Sequence, residues 1–168
     1  TGSGINATAT FSILGGVAGS NTADIAEQLL VNTGGQAVTI YQYVDFDLGN
    51  TIYDDSAALV NANTIKQWDP LWIMQEVVIP TASRWEIGPY STILAKLQGA
   101  PGLNLANAAT PWGPGDATYA WQWDVTGTSF VISKDKHVSP IPEPISIVLG
   151  VMGLCSVVGL RKLRTKQA

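Results

Sequence analysis

Short segments in which large apolar residues alternate with small or polar ones occur along the first 140 residues, and they set the fold class. In TYAWQWDV, residues 118–125, the side chains of Tyr119, Trp121, Trp123 and Val125 occupy every second position. A period of two places alternate side chains on opposite faces of a β-strand. The segment therefore predicts a strand with one buried face, and Trp121 and Trp123 are predicted to pack in the core.

Residues 39–48 alternate in the same way. One face would hold Ile40, Val44, Phe46 and Leu48, and the other would hold Thr39, Tyr41, Tyr43, Asp45 and Asp47. Gln42 interrupts the apolar face. If Gln42 is buried, it needs a hydrogen-bond partner.

Further strands are predicted at residues 7–13, 72–79, 85–87 and 129–133, with a short helix at 90–99. Asn32-Thr33-Gly34-Gly35 between two apolar runs predicts a hairpin. The chain has 17 Gly and 9 Pro, which favour short strands joined by turns. We therefore expect an all-β, antiparallel β-sandwich, jelly-roll or Ig-like, at residues 1–135 and a linker at 136–140.

Charge and cysteine content exclude several functions. Residues 1–140 hold five Lys or Arg against twelve Asp or Glu, a net −7, whereas residues 141–168 carry +3. An acidic body argues against nucleic acid as a partner, because phosphates need a basic surface. The single cysteine is Cys155, so residues 1–140 form no disulfide and offer no His/Cys cluster for zinc.

Few residues could support catalysis. The one histidine, His137, falls in the predicted linker, which argues against a Ser-His-Asp or Cys-His site. Two carboxylates suffice for glycoside hydrolysis, and Glu76, Glu86 or the acids of residues 45–55 could supply them. A small domain leaves little room for a deep sugar cleft, so we expect no enzyme and no obligatory cofactor.

Four aspartates are candidates for calcium: Asp45, Asp47, Asp54 and Asp55. Calcium is held by carboxylate and carbonyl oxygens. The segment does not match an EF-hand loop, because Gly49 takes the fifth position and no glutamate takes the twelfth. The alternative is that these acids keep a strand edge soluble.

Three aromatic residues are candidates for glycan contact, namely Tyr41, Tyr43 and Trp112. Sugar-binding modules lay aromatic faces against sugar rings and flank them with carboxylates or amides. The two tyrosines are predicted to share an outward face with Asp45 and Asp47. A plain exposed surface is the alternative for all three.

The last 28 residues differ from the rest. Ile141 is followed by Pro142-Glu143-Pro144, by sixteen uncharged residues at 145–160, and by the cations Arg161, Lys162, Arg164 and Lys166. A sixteen-residue helix is about 24 Å long, a short membrane span. The cations that follow favour a cytoplasmic C-terminus, with the acidic body across the membrane.

This three-part tail at residues 141–166 resembles the PEP-CTERM sorting signal of Gram-negative bacteria. The resemblance implies transient anchoring in the inner membrane, processing by an exosortase near Pro-Glu-Pro, and delivery to the envelope or the extracellular matrix. Residues 1–16 contain no signal-peptide pattern, so export would require one upstream of Thr1.

We therefore expect an exported cell-surface or biofilm-matrix protein with a structural or adhesive role. Its partners would be an exosortase, the inner membrane transiently, and extracellular polysaccharide. The alternatives are a carbohydrate-binding module and, third, a small glycan-active enzyme.

Overall fold

The computed structural model describes residues 4–99, 102–108 and 111–141. In these ranges the chain forms ten β-strands, a 3-10 turn at Leu48–Asn50 and one α-helix, α1 at Tyr90–Leu97. The strands are β1 Asn6–Gly15, β2 Ala23–Asn32, β3 Val38–Asp45, β4 Asp55–Asn61, β5 Thr64–Trp68, β6 Trp72–Ile79, β7 Arg84–Pro89, β8 Trp112–Gly115, β9 Ala117–Val125 and β10 Ser129–Pro140.

The strands form two sheets, and all pairs of neighbouring strands are antiparallel. The large sheet has seven strands in the order β1-β2-β10-β6-β5-β4-β8, and the small sheet has the order β3-β9-β7. One apolar core joins them, built from Trp121 and Trp123 of β9 and from Ile65, Met74 and Ile132 of the large sheet. The predicted all-β antiparallel architecture is confirmed.

The other face of the small sheet is also covered. Ile93 of α1 and Leu105 of the following loop pack on Ala120 of β9, with Tyr41 and Tyr43 beside them. The central strand of the small sheet is therefore buried on both faces.

Several predicted elements are confirmed. The strand at residues 72–79 has the predicted bounds, and the strands predicted at 7–13, 85–87, 118–125 and 129–133 lie within β1, β7, β9 and β10. The helix predicted at 90–99 is α1. Gln42 has a partner at one end of its amide, where Nε2 donates to Glu76 Oε1 at 3.2 Å, whereas its buried Oε1 has no partner among the described residues.

The hairpin predicted at residues 32–35 is wrong. β2 and β3 belong to different sheets, because β1 and β10 already occupy both edges of β2. The connection crosses between the sheets and is fixed by Thr33, whose N–H donates to Thr128 O at 2.9 Å. Gly34 and Gly35 have positive φ, so a turn is present, but its strands do not pair.

The linker predicted at residues 136–140 is instead the end of β10. Lys136, His137 and Val138 pair with both β2 and β6. Charged residues and two nearby prolines resembled a linker, but alternation continues through the segment, with Lys134 and Lys136 buried and Asp135 and His137 exposed. The β domain thus extends to at least Pro140.

Within the described ranges, no helix is long and apolar enough to cross a membrane. The helix predicted at 145–160 lies outside those ranges, as do Pro142, Glu143, Pro144 and the cations after residue 160.

Candidate functional site

The face of the large sheet that points away from the core carries a groove across β1, β2, β10 and β6. It encloses about 390 Å³. We call it the outer groove and define it by the outward side chains that line it: Ser12, Leu14, Asp24, Ala26, Gln75, Val77, Asp135 and His137. Ser12 and Ala26 have small side chains, which leave space for the groove between the larger residues around them.

A second depression of about 360 Å³ continues the outer groove along the strands. It shares Ser12, Ala26 and Asp135 with the first and ends near Thr10, Gln28 and Ser133. Together they form an open channel on a regular hydrogen-bonded sheet, so its lining residues are held at fixed spacing.

One row of the outer face is polar on four neighbouring strands. Asp24 of β2 pairs in register with His137 of β10, His137 with Gln75 of β6, and Gln75 with Lys66 of β5. Neighbouring strands lie about 4.8 Å apart. The row therefore presents a carboxylate, an imidazole, an amide and an ammonium group at regular intervals.

The contacts within the row orient its members. His137 Nδ1 lies 2.6 Å from Asp24 Oδ1, and both side chains are more than half exposed. Lys66 Nζ lies 4.5 Å from the centre of the Trp68 ring, a cation–π geometry. His137 and Gln75 are register partners and are both exposed on the outer face.

The Asp24–His137 contact can be compared with a catalytic triad. The Asp24–His137 contact resembles two thirds of a Ser-His-Asp triad, but among the described residues no hydroxyl hydrogen-bonds to His137. A nucleophile in reach of the base is the missing part of such a site.

The four aspartates that are candidates for calcium are split. Asp45 and Asp47 meet Asp116, with one oxygen of each within 4.8 Å of the others, so these three could share a cation. Asp54 instead accepts a hydrogen bond from Thr51 Oγ1. Asp55 is buried at the start of β4.

Burial raises the pKa of the carboxyl groups in this region. The pKa of Asp55 rises to about 7, first because the group is buried and then because Asp69, Asp54 and Asp47 repel its charge. Burial and the neighbouring Asp47 also raise the pKa of Asp45 and of Asp116.

The three aromatic residues predicted to contact glycan do not form an exposed platform. Tyr41 and Tyr43 point away from the core as predicted, but they are half-buried against Ile93, Leu105 and Leu97. The Tyr41 hydroxyl donates to Leu103 O. Trp112 is also half-buried and packs against the core between the sheets.

The two glutamates considered as a glycosidase pair do not converge. Glu76 lies between the sheets, bound by Lys136 at 3.1 Å and by the Tyr119 hydroxyl. Glu86 lies on the other face of the small sheet, where Lys96 Nζ contacts it at 2.5 Å and Ala106 N donates to it.

Sequence reasoning missed the outer groove. Asp24, Gln75, Asp135 and His137 are far apart in the chain, and strand order alone brings them together. The one available signal was the alternation of residues 131–137, which puts Ser133, Asp135 and His137 on one face.

No protein-family model and no curated protein sequence matches the chain. Among solved structures, a bacterial glucoamylase complexed with acarbose aligns with 76% of this chain and 19% of its own, at 11% identity and a TM-score of 0.44. A family GH92 α-mannosidase from Bacteroides thetaiotaomicron aligns with 78% of this chain and 17% of its own, at 5% identity and a TM-score of 0.40. The chain thus spans about a fifth or less of these structures.

Proposed function

We propose that this chain is the β-sandwich of an exported cell-surface or extracellular-matrix protein with an adhesive role, and that its outer groove binds extracellular polysaccharide without cleaving it. The observation that carries the proposal is the polar row Asp24, His137, Gln75 and Lys66, held on four neighbouring strands of one rigid sheet.

The chemistry of the row and of Asp135, which lines the outer groove, matches a ligand rich in hydroxyl groups. Asp24 and Asp135 accept hydrogen bonds, Gln75 donates and accepts, and Lys66 donates. An open groove along the strands leaves both ends of a polymer free. Two carboxylates face one lysine and one histidine, so an uncharged polysaccharide suits the groove better than a polyanion.

Retention on extracellular polysaccharide from the native host tests this proposal. Asp135→Asn and Gln75→Ala should each weaken binding by about five- to thirtyfold, since a lost hydrogen bond to a charged or amide group is worth about 1–2 kcal/mol. Asp124→Asn is the matched control, because Asp124 is an exposed strand aspartate on the small sheet.

Two results would reject polysaccharide binding at the outer groove. One is retention that Asp135→Asn and Gln75→Ala leave unchanged. The other is an equal loss in Asp124→Asn, which would indicate a general effect of surface charge. Release of reducing ends from the polysaccharide would instead favour the glycan-active enzyme.

We also propose that the tail acts as the sorting signal that it resembles. Proline fixes φ and biases the residue before it away from helix, so a Pro-Glu-Pro sequence favours an extended backbone that a processing enzyme can bind. The mature protein is then expected to end near Pro144. Mass spectrometry of the protein from its native host, with and without the exosortase, tests this, and a C-terminal peptide ending in Ala168 in the exosortase-containing host would contradict it.

A further inference from the structure

We propose that β1 pairs antiparallel with β1 of a second copy of this chain, across a twofold axis at Ser12, so that the two large sheets become continuous. The proposal does not rest on polysaccharide binding, although Ser12 and Leu14 of β1 also line the outer groove. It rests on the edge, the apolar side chains and the charge pattern of β1.

The outer edge of β1 is an unprotected strand edge. Among the described residues no strand pairs with that edge, and all ten residues of β1 are exposed. Natural edge strands usually carry lysine, proline, a bulge or short length, which prevent pairing with another chain. β1 has no charged residue and no proline, and its ten pairs with β2 run without a bulge.

The exposed apolar side chains of β1 are a second indication that this strand binds a partner. Phe11 is 62% exposed and Ile13 is 71% exposed, and both lie on the face that is continuous with the core. Their register partners in β2 are Glu27 and Ile25, on the inner face of the large sheet. The small sheet does not extend over them, so two large apolar side chains face solvent side by side.

A second copy fits these side chains because the strand is complementary to itself. In an antiparallel pair centred on Ser12, Phe11 of each chain lies opposite Ile13 of the other. Both apolar pairs then fall on the inner face, and each seven-stranded sheet adds the other at its edge. Apolar cross-strand pairs of this kind stabilise antiparallel strands.

Charge does not oppose the pairing. The acid of β2 on the inner face next to β1, Glu27, is already paired with Lys134 at 2.5 Å, and Asp24 Oδ1 lies 2.6 Å from His137 Nδ1 on the outer face. Since β1 carries no charge, self-pairing places no like charges opposite each other. The edge itself therefore adds no local repulsion to the net negative charge of the two copies.

Disulfide trapping in the full chain tests the interface. Directly opposed residues of antiparallel strands have Cα atoms about 4.5–5.5 Å apart, within the range for a disulfide. With Cys155→Ser to remove the native thiol, Ser12→Cys should form covalent dimers under mild oxidation at least tenfold faster than Leu30→Cys. Leu30 is also exposed, but β1 and β10 flank its strand.

A second set of variants tests the apolar contacts. In the Ser12→Cys background, Phe11→Ser with Ile13→Ser should slow trapping by tenfold or more, with the tryptophan fluorescence of the core unchanged. Equal trapping of Ser12→Cys and Leu30→Cys would overturn the proposal. So would trapping that the serine variants do not slow.

The tail is the competing occupant, and Cys155 reports on it. When Cys155 is retained in the Ser12→Cys variant, mass spectrometry should find the thiol introduced at position 12 joined to the same position of the second copy. A disulfide between position 12 and Cys155 would mean that the tail covers β1, and it would overturn the proposal.

Discussion

β9 and β1 are strands of similar length whose surroundings are opposite. Eight of the nine residues of β9 are buried, whereas all ten residues of β1 are exposed. β9 is the centre of the small sheet, with the large sheet on one side and α1 on the other. β1 is the edge of the large sheet. Alternation of residue types predicts that a strand forms, but the order of strands decides how much of it is buried.

The largest expected effect comes from matched aromatic truncations in the two strands. Trp121→Ala or Trp123→Ala should lower the free energy of unfolding by about 3–5 kcal/mol, since the buried ring leaves a cavity. Phe11→Ala in β1 should cost less than about 1 kcal/mol. Urea denaturation of the monomer measures both.

Equal losses for Trp121→Ala and Phe11→Ala would contradict the contrast between the strands. A folded Trp121→Ala variant that loses polysaccharide binding would indicate that β9 contains the binding surface, and it would also remove the outer groove from consideration.

β10 is intermediate in burial between β9 and β1, and a comparison of its Lys136 with Lys66 of β5 tests what burial does to a charge. Lys136→Met removes the partner of Glu76, a fully buried carboxylate, and should cost about 3 kcal/mol because a buried charge is left unpaired. Lys66→Met makes the same change on the outer face, over Trp68, and should cost less than about 1 kcal/mol.

Thermal or urea unfolding of the two lysine variants checks the difference. Equal losses of unfolding free energy in Lys136→Met and Lys66→Met would contradict the prediction. They would show that removing the cation partner of the buried Glu76 carboxylate costs no more than removing a lysine from the outer face.

The strands and the helix could be predicted from sequence because they depend on local periodicity. The segment at residues 72–79 and the tryptophan face of β9 needed no knowledge of neighbours. The hairpin at residues 32–35 failed because turn chemistry does not reveal which strand is adjacent. β2 already has two partners, so its chain must continue into the other sheet.

The candidate site was less predictable for a related reason. Periodicity predicted correctly that Tyr41 and Tyr43 point away from the core, but it could not reveal that α1 covers them. His137 was assigned to a linker because the prolines after it suggested the end of the domain. Its contact with Asp24 spans 113 positions in the chain and follows from sheet order alone.

Asp55 extends the comparison to a buried group that titrates. Its pKa is raised to about 7 in the folded protein, so between about pH 4 and pH 7 the folded carboxyl is protonated while the unfolded one is ionised. The stability that this group contributes is therefore full below about pH 4 and falls as pH rises through 7. The fall should be about 2 kcal/mol once screening by solvent is allowed for. Asp55→Asn should flatten this dependence.

The control for Asp55 is Asp124→Asn, because Asp124 is an exposed aspartate that is not among the residues that raise the pKa of Asp55. A shallower slope of the same sign should remain in Asp55→Asn, because the pKa values of Asp45 and Asp116 are raised too. Unfolding free energies at about pH 4.5 and about pH 8 measure the slope. An unchanged slope in Asp55→Asn would show that the Asp55 carboxyl is ionised in the folded state.

The smallest expected effect concerns α1 and the loop that follows it, which pack on β9 and have no counterpart over β1 among the described residues. The Tyr41 hydroxyl donates to Leu103 O and so ties the loop after α1 to the outer face of the small sheet. Tyr41→Phe should cost about 1 kcal/mol and increase amide hydrogen exchange in residues 102–108, because a neutral hydrogen bond of this kind contributes about that much. Tyr53→Phe removes a hydroxyl from a side chain that is 79% exposed, and it should change neither quantity. If Tyr41→Phe behaves like Tyr53→Phe, apolar packing of Ile93 and Leu105 holds the loop without this bond, and the cover over β9 depends on burial alone.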